Sequence, residues 1–125
     1  MSTALLRGVE GIFIPVKDPA ASAKWYEEKL GFRLLFEEPE ATVMKISETA
    51  PTVVCLVCTP DHQPMRFPDN DFGVGKYYNF LAENIEKLHL ELIGRGVAVN
   101  PIGGEGNTRF FTFFDPDGNP LGVCQ

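Results

Sequence analysis

The sequence predicts an α+β domain built from two tandem βαβββ modules that form a curved mixed sheet. Three observations carry this. Strand-like runs and one amphipathic helix follow each other in the same order twice. A helix-start segment recurs 66 residues further on, and an Asp-Pro-Asp-Gly-Asn turn closes a final hairpin.

The run Val9-Glu-Gly-Ile-Phe-Ile-Pro-Val16 reads as a strand, with Pro15 suggesting an edge position or the strand's end. Asp18-Pro19 then supplies an N-cap and a proline at the first helical position. Ala23, Tyr26 and Leu30 make one apolar stripe, Lys24, Glu27, Glu28 and Lys29 cover the outside, and Gly31 is the stop. Three extended runs follow, over 32–36, 41–46 and 52–58, separated by turn-forming residues. Residues 59–75, rich in Pro, Gly, Asp and Asn, form a connector.

The order then restarts. Residues 76–82 read as a strand, Asn84 as an N-cap, and Ile85, Leu88 and Leu92 as the next stripe, with Gly94 or Gly96 ending the helix. Strands are expected over 97–100, 108–114 and 121–124. The segment from Phe13 to Pro19 superposes on that from Asn79 to Ile85, and Gly31 and Gly96 lie 65 apart. Neither module can bury its open sheet alone, so a single domain over 1–125 is expected, with module one at about 8–58, the connector at 59–75 and module two at 76–125. The closing turn has a mechanism. Asp115 stands at its first position, Pro116 at its second, and Gly118 where positive φ is needed.

A net charge of -6 and a pI near 4.8 argue against nucleic acid or an anionic membrane as partner, since both are bound through basic patches. No apolar run approaches the roughly 18 residues of a membrane span. The first residues lack the pattern of a secretory signal, so the expected location is the cytoplasm. Cys55 and Cys58 have C-x-x-C spacing, but on a strand residues three apart face opposite ways, so buried apolar cysteine is the simpler reading. The Gly-rich stretch 103–108 lacks a following helix and a phosphate-loop Lys, which rules out a nucleotide loop.

The strand ending Val16-Lys-Asp18, with Ser22-Ala-Lys-Trp-Tyr-Glu-Glu-Lys-Leu-Gly-Phe32 after it, resembles the opening module of the vicinal-oxygen-chelate superfamily (glyoxalases, bleomycin-resistance proteins and extradiol dioxygenases). Phe110-Phe-Thr-Phe-Phe-Asp-Pro-Asp-Gly-Asn119 resembles its closing hairpin. The resemblance implies a divalent metal held by His, Glu or Gln on the sheet, acting as a Lewis acid on vicinal oxygens. Those ligand positions fall here on Gly11, Cys55, Tyr77 and Gly122. Glycine donates nothing, tyrosine is an uncommon ligand, and one thiol cannot satisfy an ion that takes four to six donors. No metal, no other cofactor and no catalytic residue is therefore assigned. Glu10 should point away from Gly11 by alternation. His62 in the connector and His89 on the second helix are the kind of lone histidine that is ordinarily solvated or packed.

Alternation places Phe13, Tyr77, Asn79, Phe110, Thr112 and Phe114 on the concave face with the former ligand positions, together with Cys55, Val43, Lys45, Val53 and Cys124. The expected ligand-binding set is Phe13, Cys55, Tyr77, Asn79, Phe110, Thr112 and Phe114, an aromatic cup with a phenol, an amide and a hydroxyl. Phe111 and Phe113 should face the helix. Arg66, Arg109 and Lys45 are either anion anchors or solvated surface charges. The function expected is metal-free binding of a small hydrophobic or aromatic molecule, similar to the bleomycin-resistance branch. The resemblance also implies a homodimer with pockets between subunits. The alternatives are a metal-dependent lyase, isomerase or dioxygenase with a rebuilt site, and an interaction protein in which the Phe side chains fill the trough.

Overall fold

A computed structural model describes residues 3–125 of the chain. The chain falls into two compact units, one running to Pro60 and the other spanning Asp61–Gln125. Each carries one sheet and one helix.

In the first unit, β1 (Gly11–Val16) leads to α1 (Pro19–Leu30), and β2 (Arg33–Glu38), β3 (Ala41–Lys45) and β4 (Val53–Cys58) follow. The sheet order is β1-β4-β3-β2, with β1 parallel to β4 and the other pairs antiparallel. Pro15 thus sits on an edge strand, where no second neighbour needs its missing N–H. The Asp18 carboxylate accepts from the N–H groups of Ala20 and Ala21 at 3.1 and 3.3 Å and caps α1. Gly31 ends it at φ 77°, the left-handed region that a side chain disfavours. The helix packs on β3 and β4 through Ala23 and Tyr26, over Ile14, Met44, Val54 and Leu56. The Tyr26 ring meets Trp25 edge-on and lies 5.6 Å from Phe32. The strand β2 is exposed along its whole length and is bulged between Leu34 and Phe36.

The second unit repeats the plan. It contains β5 (Asn79–Leu81), α2 (Ile85–Gly94), β6 (Ala98–Val99), β7 (Gly103–Glu105), β8 (Thr108–Phe114) and β9 (Pro120–Cys124). The order is β5-β9-β8-β6, with β5 parallel to β9 and β7 pairing β8 beyond β6. Asn84 caps α2 by accepting from Lys87 N–H at 3.1 Å, and the Gln125 side chain takes Ile85 N–H at 2.6 Å. The two cap residues share nearly the same backbone, φ -136°, ψ 99° at Asp18 and φ -137°, ψ 99° at Asn84, so the 66-residue repeat is conformational as well as sequential. Gly96 turns the chain after α2 at φ 79°, matching Gly31. Phe111 and Phe113 are buried as alternation predicts, Phe111 against the edge of the His89 ring.

Two expectations change. The strand expected over 76–82 is paired only over Asn79–Leu81. Residues 103–105, which lie outside the expected strands, form β7 and pair in a tight hairpin with β8. No helix among the described residues is long and apolar enough to cross a membrane.

Candidate ligand-binding site

The closing turn organises the second unit. The buried Asp115 carboxylate accepts from the N–H groups of Asp117 and Asn119 and from the Asn119 amide, each at 2.9 Å. Asn119, itself fully buried, accepts Met65 N–H at 2.8 Å through its side-chain oxygen. His62 Nε2 lies 3.1 Å from the Asp117 carbonyl oxygen. The chain over 62–65 is thereby tied to the turn through side chains, without strand pairing. His62 is a packed clamp, its side chain only 3% exposed, and it is not at a pocket mouth.

The next stretch is held differently. Tyr77 donates its hydroxyl to the Arg66 carbonyl at 3.2 Å, and its ring lies 4.9 Å from that of Phe67. Asn70 closes the loop before it, donating to the carbonyls of Pro68 and Val74 at 2.9 Å and accepting Val74 N–H at 3.2 Å.

Between this strap and the sheet lies an open trough of about 750 Å³, within the size range of small-molecule sites. Phe110, Thr112 and Phe114 of β8 form its floor. Met65, Arg66 and Phe67 form one wall, Lys76 lies at one side, and Asn100 lines it too, beside Thr112, whose carbonyl accepts its N–H at 2.8 Å. With Gln63 also at the lining, the set is largely apolar with a hydroxyl, two amides and two cations.

One glycine explains how Lys76 comes to be there. Gly122 pairs with Asn79 on one side and Thr112 on the other. A Cβ on Gly122 would collide with the Lys76 methylenes and with the Asn79 side-chain oxygen. These two side chains occupy the space above the glycine, and the Lys76 ammonium lies 5.5 Å from the centre of the Phe110 ring.

The sequence-expected residues divide between the two units. Phe110, Thr112 and Phe114 line the trough, and Asn79 lies over Gly122 beside it. Tyr77 is outside β5, half exposed, and engaged with Arg66 and Phe67, so strand alternation does not govern it. Phe13 and Cys55 are cross-strand partners in the first unit, with Val43 opposite Cys55 and Phe36 opposite Val43. That row is apolar, and Phe13 is 66% exposed. Of the three possible anion anchors only Arg66 lines the trough. Arg109 is ion-paired with Glu86, and Lys45 lies 3.7 Å from Glu48. Lys76, Asn100, Met65 and Phe67 were missed. The Gly122 vacancy was visible in the sequence, but what fills it was not.

As a donor set the family's ligand positions do not fit a divalent ion. Gly11 has no side chain, and a Cβ there would press on Val53 at 3.2 Å. Gly122 is covered by a lysine. Tyr77 spends its hydroxyl on a carbonyl. Burial first, then the negative charges of Glu38 and Glu10, push the Cys55 thiol above its ordinary pKa, against the thiolate a metal needs. Among the described residues no three His, Cys, Asp or Glu groups gather to hold a metal. The cysteines at 55, 58 and 124 are free thiols.

These features define a protein of two tandem units, βαβββ in the first and the same order with the extra short strand β7 in the second, with an open, aromatic, cation-bearing trough on the second sheet. The chain belongs to the Glyoxalase/Bleomycin resistance protein/Dioxygenase superfamily, whose sequence profile matches residues 8–123. It is similar to YwkD of Bacillus subtilis (strain 168), 29% identical over 127 residues that span 97% of this chain and 98% of that one. Among solved structures it resembles TnmS3, an antibiotic binding protein from Streptomyces sp. CB03234, with a TM-score of 0.77, 26% identity and 98% of each chain covered. A glyoxalase family protein from Enterococcus faecalis matches at a TM-score of 0.77 and 21% identity, over 98% of this chain and 100% of that one, which supports the fold alone.

Proposed function

We propose that this protein binds a small, largely hydrophobic or aromatic molecule without a metal ion. The observation that carries the reading is the trough of about 750 Å³, floored by Phe110 and Phe114 and walled by Met65 and Phe67, with Thr112 and Asn100 to orient a guest. Ring faces and a thioether reward a flat apolar body, while a few polar groups set its direction. The 26% likeness to an antibiotic binding protein supports binding over turnover. So does the donor chemistry at Gly11, Cys55, Tyr77 and Gly122, which offers no Lewis acid a seat.

The protein acts, on this reading, in the cytoplasm as a homodimer whose interface borders the trough. Exposed aromatic side chains on the sheets' open faces, Phe13 at 66%, Phe36 at 54% and Phe110 at 43%, support the pairing. The acidic chain offers no electrostatic reason to engage nucleic acid or an anionic membrane.

A thermal-shift screen of polycyclic aromatic compounds tests it, run with and without a chelator and repeated on Phe114→Ala. Stabilisation that is indifferent to chelator and lost in Phe114→Ala is the expected result. Tightly bound stoichiometric metal in protein purified without chelator would instead favour a lyase, isomerase or dioxygenase. Light scattering reads the dimer directly.

A further inference from the structure

We propose that the trough selects anions: its guest is an apolar or aromatic body carrying a carboxylate or comparable negative group, received by Lys76. The proposal rests on the binding reading above and adds the charge of the ligand.

The first observation is a charge contrast. The chain as a whole carries -6, yet the ionisable side chains lining the trough are Lys76 and Arg66, both cations, and no carboxylate lines it. The second concerns how Lys76 is placed. Its methylenes lie across Gly122 in space that any side chain there would take, so the arm is packed and half buried while the ammonium is carried over the Phe110 ring, 5.5 Å from its centre. Packing of this kind removes much of the rotamer freedom that weakens surface lysines as ligands.

Third, no carboxylate among the described residues pairs with Lys76. Arg66, by contrast, is 82% exposed and stands 3.7 Å from Asp69. Lys76 is therefore the anchor and Arg66 a peripheral charge. A charge-assisted bond from an ammonium whose arm is half buried is screened less than one from a fully exposed lysine. Thr112, directly across from Gly122, stands in the same row to donate a hydroxyl to the same group.

The test uses three probes of one shape: 1-naphthoate, 1-naphthamide and 1-naphthylmethylamine, titrated calorimetrically into the full chain at low and moderate salt. The acid should bind about tenfold tighter than the amide, the worth of one charge-assisted hydrogen bond, and the amine weakest. In Lys76→Met, which keeps the arm over Gly122, the acid-to-amide ratio should fall towards one. Lys87→Met, which makes the same change in net charge on α2, should leave the ratio as it was. Equal binding of acid and amide by the wild type would overturn the proposal, as would a preference that survives Lys76→Met; either result leaves the aromatic trough intact as a binding site. Failure of all three probes to bind would overturn the binding reading itself, and this proposal with it.

Discussion

The two units repeat one backbone plan and put different chemistry on it. Their helix-facing sides are alike: Ile14, Met44, Val54 and Leu56 in the first, Phe111, Phe113, Leu121 and Val123 in the second, all buried and apolar. Their open faces diverge row by row. Across the first sheet the central row is Phe36, Val43, Cys55 and Phe13. Across the second it is Thr112, Gly122 and Asn79, with Lys76 laid over the glycine and Asn100 bonded to the Thr112 carbonyl. Burial constrains one side of each sheet largely to hydrocarbon, with Thr42 a buried hydroxyl beside Met44 on β3, because an unpaired polar group there would cost stability. The other side is free of that constraint and holds what distinguishes the units.

The contrast breaks most visibly within β8. Phe111→Ala, which empties a site 1% exposed, should cost about 3–5 kcal/mol in chemical denaturation, whereas Phe110→Ala next to it, 43% exposed, should cost under about 1 kcal/mol. Similar losses from both would mean that the open face is as tightly packed as the covered one.

The closing turn belongs to the second unit alone, and its removal should be felt there. Asp115→Ala strands the N–H groups of Asp117 and Asn119 and frees the Asn119 amide that holds Met65, at a cost of about 3 kcal/mol. Proteolysis or hydrogen exchange should show residues 62–67 loosened, with the first unit's protection unchanged.

The helix caps test the likeness of the units. Asp18→Ala and Asn84→Ala should each cost about 1 kcal/mol. A twofold disparity would show that equal backbone geometry does not ensure equal cap energy. The smallest effect concerns Cys55. Its raised pKa leaves less thiolate at a given pH, so alkylation followed by peptide mapping should reach its half-maximal rate at a higher pH than in the urea-unfolded chain. Burial is the larger cause, so Glu38→Gln should recover only part of the difference.

Much of the architecture was legible because it rests on local rules. An N-cap followed by proline, glycines at helix ends, and an Asp-Pro-Asp-Gly turn each specify backbone over a few residues, and the 66-residue recurrence links them into modules. The facing of the candidate site's residues was legible only where a strand was long enough to carry its parity. Within the seven-residue β8, five residues sorted correctly, Phe110, Thr112 and Phe114 to one face and Phe111 and Phe113 to the other. The three-residue β5 did not carry parity back to Tyr77, which follows its own hydrogen bond to Arg66. The connector looked like plain linker because the bonds that make it a wall run from its backbone to Asn119 and from Tyr77, contacts with no local signature.

The sequence by itself determined the repeat, the helix caps, the closing turn and the loss of side chains at Gly11 and Gly122, since each is written in neighbouring residues or in the absence of a Cβ. Only the tertiary structure decided what occupies the space above Gly122. A missing side chain marks a vacancy, but which distant group fills it depends on where the chain brings that group. Here it brings the arm of Lys76, and with it a positive charge to the edge of the trough.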